Sequence, residues 1–195
     1  MSYNDKKPNI VIDVNVWIDA LDKMDNFTDW RQLANIVPSG LSANAMNSVM
    51  NLVKAQLSGA GSMVRINNSS HILNLVQKRL HTTKKWDLVK ANIAVSEIAK
   101  FCLSTGGDPS INWKTVLRDV KATIDDHVRG NDNIKDSINN EDIIVLATAV
   151  AANSKILVSN DGGLELMKYI TRDAFDLDII FPRLLSNRVS NVMSL

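Results

Sequence analysis

Three carboxylates stand where a charge is expensive. Asp13 closes the apolar run Ile10-Val11-Ile12, and a carboxylate in such surroundings has to be paired or bound to a metal. Asp161 follows a second run, Ile156-Leu157-Val158-Ser159, after Asn160, and Glu141 with Asp142 opens the apolar stretch from Ile143 to Ala152. Each position has a structural explanation. A strand-end carboxylate can accept backbone N–H groups, Asn160-Asp161-Gly162-Gly163 is an ordinary turn signature, and acids in a helix's first turn complement its dipole by ~0.3–1 kcal/mol. None of these accounts for acids at two strand ends and at the start of a buried helix, in three separate segments that could converge. Gathered together, Asp13, Asp142 and Asp161, with Glu141 beside them, would offer hard oxygen ligands to Mg2+ or Mn2+. Such ions use one or two carboxylates together with water and substrate phosphate. The chemistry would be activation of water for in-line attack on phosphorus. Asn15, two residues after Asp13, is expected on the same strand face, orienting Asp13 or a bound water; Ser159 and Asn160 support Asp161 from its own turn.

The elements that must position these residues follow from the pattern. Asn9 to Val16 reads as a buried strand, with a helical stretch or turn through Leu21. Trp30 to Val37 suggests a short helix, and Pro38-Ser39-Gly40 a break. Ser42 offers an N-cap to a helix whose stripe is Met46, Val49, Met50, Val53 and Leu57, closed by Gly59 and Gly61. A short strand over Met63 to Ile66 precedes a helix capped by Ser69 or Ser70 and running to Leu80. Leu88, Ala91, Val95, Ile98, Ala99 and Cys102 form the next stripe, ended by Gly106-Gly107. Asp108 to Asn140 is the least patterned stretch, with a helix over Trp113 to Ala122. Asn139 or Asn140 then caps a buried helix from Glu141 to Ala152. Strands at Lys155 to Ser159 and Leu177 to Phe181 flank a turn and a helix reaching Tyr169, and Pro182 stops the last strand. Alternating strands and helices imply an α/β fold with a central, mainly parallel sheet flanked by helices, in one domain spanning residues 1–195. In such sheets functional side chains collect beyond the carboxyl ends of the strands.

Composition narrows the classes. A net charge of +1 gives no global field for a nucleic acid, so any basic surface has to be local. The local candidate is Lys78-Arg79-Leu80-His81 with Lys84-Lys85-Trp86, which could grip phosphate and stack a base, or simply be a solvated helix end. The single cysteine, Cys102, forms no internal disulfide and falls on an apolar stripe, as an inert buried thiol does. His71, His81 and His127 lack metal-ligand spacing, and Gly106-Gly107 lacks the Lys-Ser/Thr of a phosphate-binding loop. Serine-hydrolase and cysteine-protease signatures are absent. No apolar stretch follows the charges of Met1 to Pro8, and no apolar run approaches the ~20 residues of a membrane span. The expectation is a soluble cytoplasmic protein with no membrane partner.

At the three acids the sequence resembles PIN-domain nucleases, in particular the toxin-like PIN proteins of bacterial toxin–antitoxin systems. Ile10-Val11-Ile12-Asp13-Val14-Asn15-Val16 is similar to the family's opening strand with Asp-x-Asn. Glu141 to Ala149 resembles its Asp-led helix, Ile156 to Leu164 its V-[TS]-x-D-x-x-L segment, and Ile179-Ile180-Phe181-Pro182 its final strand and proline. The resemblance covers both ends of the chain and little of the middle. It implies a three-layer PIN-like fold and a Mg2+- or Mn2+-dependent endoribonuclease acting on single-stranded RNA. Asp13, Asp142 and Asp161 would be its catalytic and metal-binding residues. It also implies a homodimer and points to an antitoxin protein as candidate partner. One position departs from the pattern: Ser48 stands where the family carries a Glu, and no acid lies between Asp29 and Asp87. A PIN scaffold that binds RNA or a protein without cutting is therefore the alternative. A haloacid-dehalogenase-type phosphatase is a third reading, weakened because Asn15 replaces the second Asp which that family needs.

Overall fold

The computed structural model describes residues 7–24, 26–58, 63–129 and 136–185. The strands are short and entirely apolar at their centres: β1 (Asn9–Ile12), β2 (Arg65–Asn67), β3 (Ile156–Val158) and β4 (Asp178–Ile180). All pairings are parallel, in the order β2-β1-β3-β4. Parallel pairing requires a crossover between neighbouring strands. The long middle of the chain supplies it as α1 (Val14–Leu21), α2 (Ala43–Leu57), α3 (Ser70–Thr82), α4 (Leu88–Ser104), α5 (Leu117–Val128) and α6 (Asn140–Ala151). After β3 come the short α7 (Gly162–Leu166) and α8 (Lys168–Phe175). This is the α/β architecture read from the sequence, a parallel sheet flanked by helices. Ile10, Val11 and Ile12 are wholly buried, as a central strand covered on both faces must be.

Several expected boundaries shift. The first strand stops at Ile12, not Val16, because α1 starts at Val14. Trp30–Asn35 is a 3-10 helix whose entry is fixed by a capping box between Asp29 and Gln32. Ser42 does not cap α2; it ends a 3-10 turn in helical conformation and makes no side-chain cap bond. Leu57, expected on the buried stripe of α2, is exposed, whereas Ala45, Leu52 and Ala55 are buried instead. The expected closers Gly59 and Gly61 lie outside the described residues. Ser69 caps α3, accepting the N–H of Ile72 at 3.3 Å. Asn139 caps α6, and Cys102 is fully buried with its thiol pushed up to about 12 by desolvation, as an inert core cysteine should be. Among the described residues no helix is long and apolar enough to cross a membrane.

Candidate acidic site at the carboxyl edge of the sheet

The two central strands deliver two of the acids. β1 and β3 pair so that Ile12 lies opposite Val158, and the N–H of Asp13 continues the ladder onto the carbonyl of Val158 at 2.9 Å. Asp13 and Ser159 therefore leave adjacent strands side by side. The Ser159 hydroxyl donates to Asp13 Oδ2 at 2.7 Å and accepts the N–H of Asp161 at 2.9 Å, linking both acids through one oxygen. Asp13 Oδ1 accepts the N–H of Val14 at 2.6 Å and so caps α1. Asp161 Oδ1 accepts the N–H groups of Gly163 (2.8 Å) and Leu164 (3.2 Å), capping α7.

The third acid arrives on α6. Asp142 Oδ2 accepts the N–H of Asn139 at 2.9 Å, while Asn139 Oδ1 accepts from Glu141 and Asp142 at 2.7 and 3.1 Å, a reciprocal capping box. A missing side chain brings this helix start against the Asp161 turn. A Cβ at Gly163 would lie 2.2 Å from the carbonyl oxygen of Ser137, so only glycine admits the approach. Three helix N-termini thus meet three carboxylates, and their partial positive charge favours the anions.

Electrostatics show that the acids feel one another. Asp13 is 4% exposed, and its carboxyl is raised from 3.8 to about 6. Burial is the chief cause, opposed by the hydrogen bonds from Ser159 and Val14, and reinforced by the charges of Asp161 and Asp142. Burial also raises Asp142; the Asn139 N–H opposes it, the charges of Asp161 and Glu141 add to it, and Arg79 lowers it. Asp161 Oδ2 and Asp142 Oδ1 accept no hydrogen bond among the described residues. Among those residues, no three His, Cys, Asp or Glu side chains are grouped so as to hold a metal ion between them.

The supporting residues fall differently from expectation. Asn15 sits in the first turn of α1 rather than on a strand, so the period-two argument that placed it beside Asp13 fails. Its Oδ1 accepts from Arg79 Nη1, and Arg79 Nη2 donates to Glu141 Oε2 at 3.0 Å. Glu141 is thus held at the rim by a guanidinium through its Oε2. Asn160 donates to Asp19 Oδ2 at 3.0 Å. Ser48 is 1% exposed and lies within the buried face of α2, not at its edge. Its hydroxyl meets the carbonyls of Asn44, at 2.9 Å, and Pro182. Glu97 does not fill the place of the missing Glu: it accepts the Trp30 N–H at 3.0 Å and pairs with Lys100.

The basic run after α3 is mostly spoken for. Trp86 is buried, with Lys90 Nζ 3.8 Å from its ring, Lys84 pairs with Asp22, and Lys85 Nζ donates to the Thr82 carbonyl at 2.7 Å. What sequence reasoning missed was the role of Arg79 as a clasp between α1 and α6; its place in a basic run pointed outward to RNA instead. No family model matches the chain, and no curated protein or solved structure does.

Proposed function

We propose that the chain is a divalent-cation-dependent endoribonuclease of the PIN type, cutting single-stranded RNA. One arrangement carries the reading: the Ser159 hydroxyl ties Asp13 to the Asp161 turn, and the close approach of Gly163 to Ser137 sets the start of α6, with Asp142, against that same turn, although the three come from separate segments. Capping explains each acid alone but not their meeting. Perturbed carboxylates gathered at one sheet edge are the mark of a functional cluster.

The donor set suits Mg2+ or Mn2+ in a particular way. A three-carboxylate cage is absent among the described residues, but such cations commonly take one or two carboxylates, with water and phosphate completing the shell. Asp161 Oδ2 and Asp142 Oδ1 are the oxygens left for that role. A bound cation would supply a water of lowered pKa and charge neutralisation at phosphorus. Asp13 would sit beneath as a buried anion, held by Ser159, that deepens the negative potential. The clasp of Arg79 fixes Glu141 and the start of α6. The reading brings with it a homodimer, an antitoxin protein as partner and a cytoplasmic place of action.

The test is cleavage of a mixed single-stranded RNA pool with Mn2+ or Mg2+. Activity should vanish with EDTA and in Asp142→Asn and Asp161→Asn. Cleavage that persists in both variants would overturn the reading. A scaffold that binds RNA or a protein without cutting is favoured by Ser48, whose hydroxyl is committed to carbonyls where an acid would be needed. Intact RNA retained by the metal-loaded wild type would identify that scaffold. A phosphatase with Asp13 as nucleophile is disfavoured, since Asp13 is buried and Asn15 stands where the second Asp would be.

A further inference from the structure

A concave pocket of about 140 Å³ opens beside Asp161 at the carboxyl ends of β3 and β4, between Ser159, Lys168, Phe181 and Arg183. Its size suits one phosphate group, being well below the roughly 300–1,000 Å³ of pockets that enclose drug-sized ligands. Two of its walls are cationic. Lys168 is half-buried and Arg183 exposed, and neither forms an ion pair among the described residues. Two cations without a fixed carboxylate partner among the described residues thus converge on one concavity next to the acidic cluster. Arg183 also lies over the Phe181 ring, its guanidinium carbon 5.6 Å from the centroid. A second pocket of about 180 Å³ adjoins the first, sharing Phe181 and Arg183 and reaching Asn44 and Pro182. Asn44 is exposed there and makes no side-chain hydrogen bond among the described residues.

We infer that these two pockets form the subsite for the nucleotide next to the scissile bond. This inference rests on the nuclease reading. Lys168 and Arg183 hold the neighbouring backbone phosphate, while the half-buried Phe181 ring and the exposed Asn44 amide receive its base. The chemistry matches single-stranded nucleic acid, which is gripped by cations along its backbone and by planar faces at its bases. Asp161 and Glu165 also line the first pocket, so its cations are balanced. A free phosphate is therefore held weakly, and a strand anchored at both the cluster and the pocket is held well. The arrangement also gives the strand a direction: it leaves the acids past Arg183 toward the start of α2.

The experiment is anisotropy titration of a labelled single-stranded RNA octamer in EDTA, across a salt series, with wild type, Lys168→Gln, Arg183→Gln and the double variant. Thermal melts check that these variants stay folded. The double variant should bind on the order of tenfold more weakly, with the log–log salt slope falling by roughly 0.7 for each phosphate no longer neutralised. Arg183→Lys should restore the slope without the full affinity, because lysine keeps the charge but not the planar, two-pronged fork. Inorganic phosphate at millimolar concentration should compete poorly. Unchanged affinity and slope in a folded double variant overturn the subsite, while wild-type cleavage would leave the nuclease reading standing. Loss of RNA binding in the double variant, with no cleavage by wild type, removes the nuclease and overturns the place of the pockets beside a scissile bond, leaving an RNA-binding surface. An acidic peptide that binds through the same two cations, with RNA not bound, overturns the assignment to nucleic acid.

Discussion

Asp13→Asn should change how stability depends on pH more than it changes stability itself. In the folded chain the Asp13 carboxyl is raised from its ordinary 3.8 to about 6. At about 1.4 kcal/mol for each tenfold change in proton affinity, this corresponds to about 3 kcal/mol. The sign follows from proton counting. Below pH 3.8 both states hold the proton, and Asp13 contributes no pH dependence. Between 3.8 and about 6 the unfolded carboxyl ionises while the folded one does not, so the folded state binds more protons and stability falls as pH rises. Above about pH 7 the whole ~3 kcal/mol has been lost, a large share of the roughly 5–15 kcal/mol that holds a typical domain. Asparagine resembles the protonated carboxyl: its oxygen can accept from Val14 and its amide can face the Ser159 hydroxyl. Urea unfolding of wild type and Asp13→Asn from about pH 4 to about pH 8 isolates the effect, because Asp142, Asp29 and Asp176 titrate in both proteins. The variant should gain on wild type by up to about 3 kcal/mol across that range, or roughly 6–12 °C in melting temperature for a chain of this size. A uniform offset would record only altered hydrogen bonding. Two parallel curves would refute the claim that Asp13 is ionised against its burial at neutral pH.

Three further outcomes follow from particular neighbours. Gly163→Ala places a Cβ 2.2 Å from the Ser137 carbonyl, so the turn must move; a loss of about 1–3 kcal/mol is expected in thermal unfolding, and an NMR titration should find the Asp142 carboxyl lowered as it separates from Asp161. Ser48→Glu buries a carboxylate against the Asn44 and Pro182 carbonyls, so denaturant titration should show about 3–5 kcal/mol of destabilisation, and tighter Mn2+ binding by a folded variant would contradict that placement. Cys102, buried and with its thiol pushed up to about 12, should resist thiol reagents in the native protein and react only at the rate of unfolding, as a timed labelling experiment would show.

The sheet was legible because its strands are short apolar runs bounded by Pro8, Pro182 and turn residues, and because helical stripes lie between them. What the pattern did not carry was where a strand stops. Val14, Asn15 and Val16 suit a strand by composition, yet they form the first turn of α1, since Asp13 can cap a helix as readily as it can end a strand. That single choice decides the fate of Asn15. On a strand it would share a face with Asp13; on the helix it turns to Arg79. Ser42 failed as a cap for a related reason. A 3-10 turn over Gly40–Ser42 already feeds the chain into α2 in helical conformation, and the serine side chain is left without a cap bond.

The acidic residues were legible one by one, and their ambiguity had a physical basis. Capping and metal binding select the same side chain at the same place, because a helix N-terminus and a cation both present positive charge to a carboxylate. Here both demands can be met at once by dividing the oxygens. Asp161 caps through Oδ1 and Asp142 through Oδ2, leaving one oxygen of each, while Asp13 spends both on Val14 and Ser159. Asp13 is therefore the least suited of the three to touch a cation directly and the best placed to act on it through charge. In a structure so divided, capping is what makes the cluster rigid. The same hydrogen bonds that would justify a purely structural role also fix the direction of the two remaining oxygens, as the proposed cation site requires.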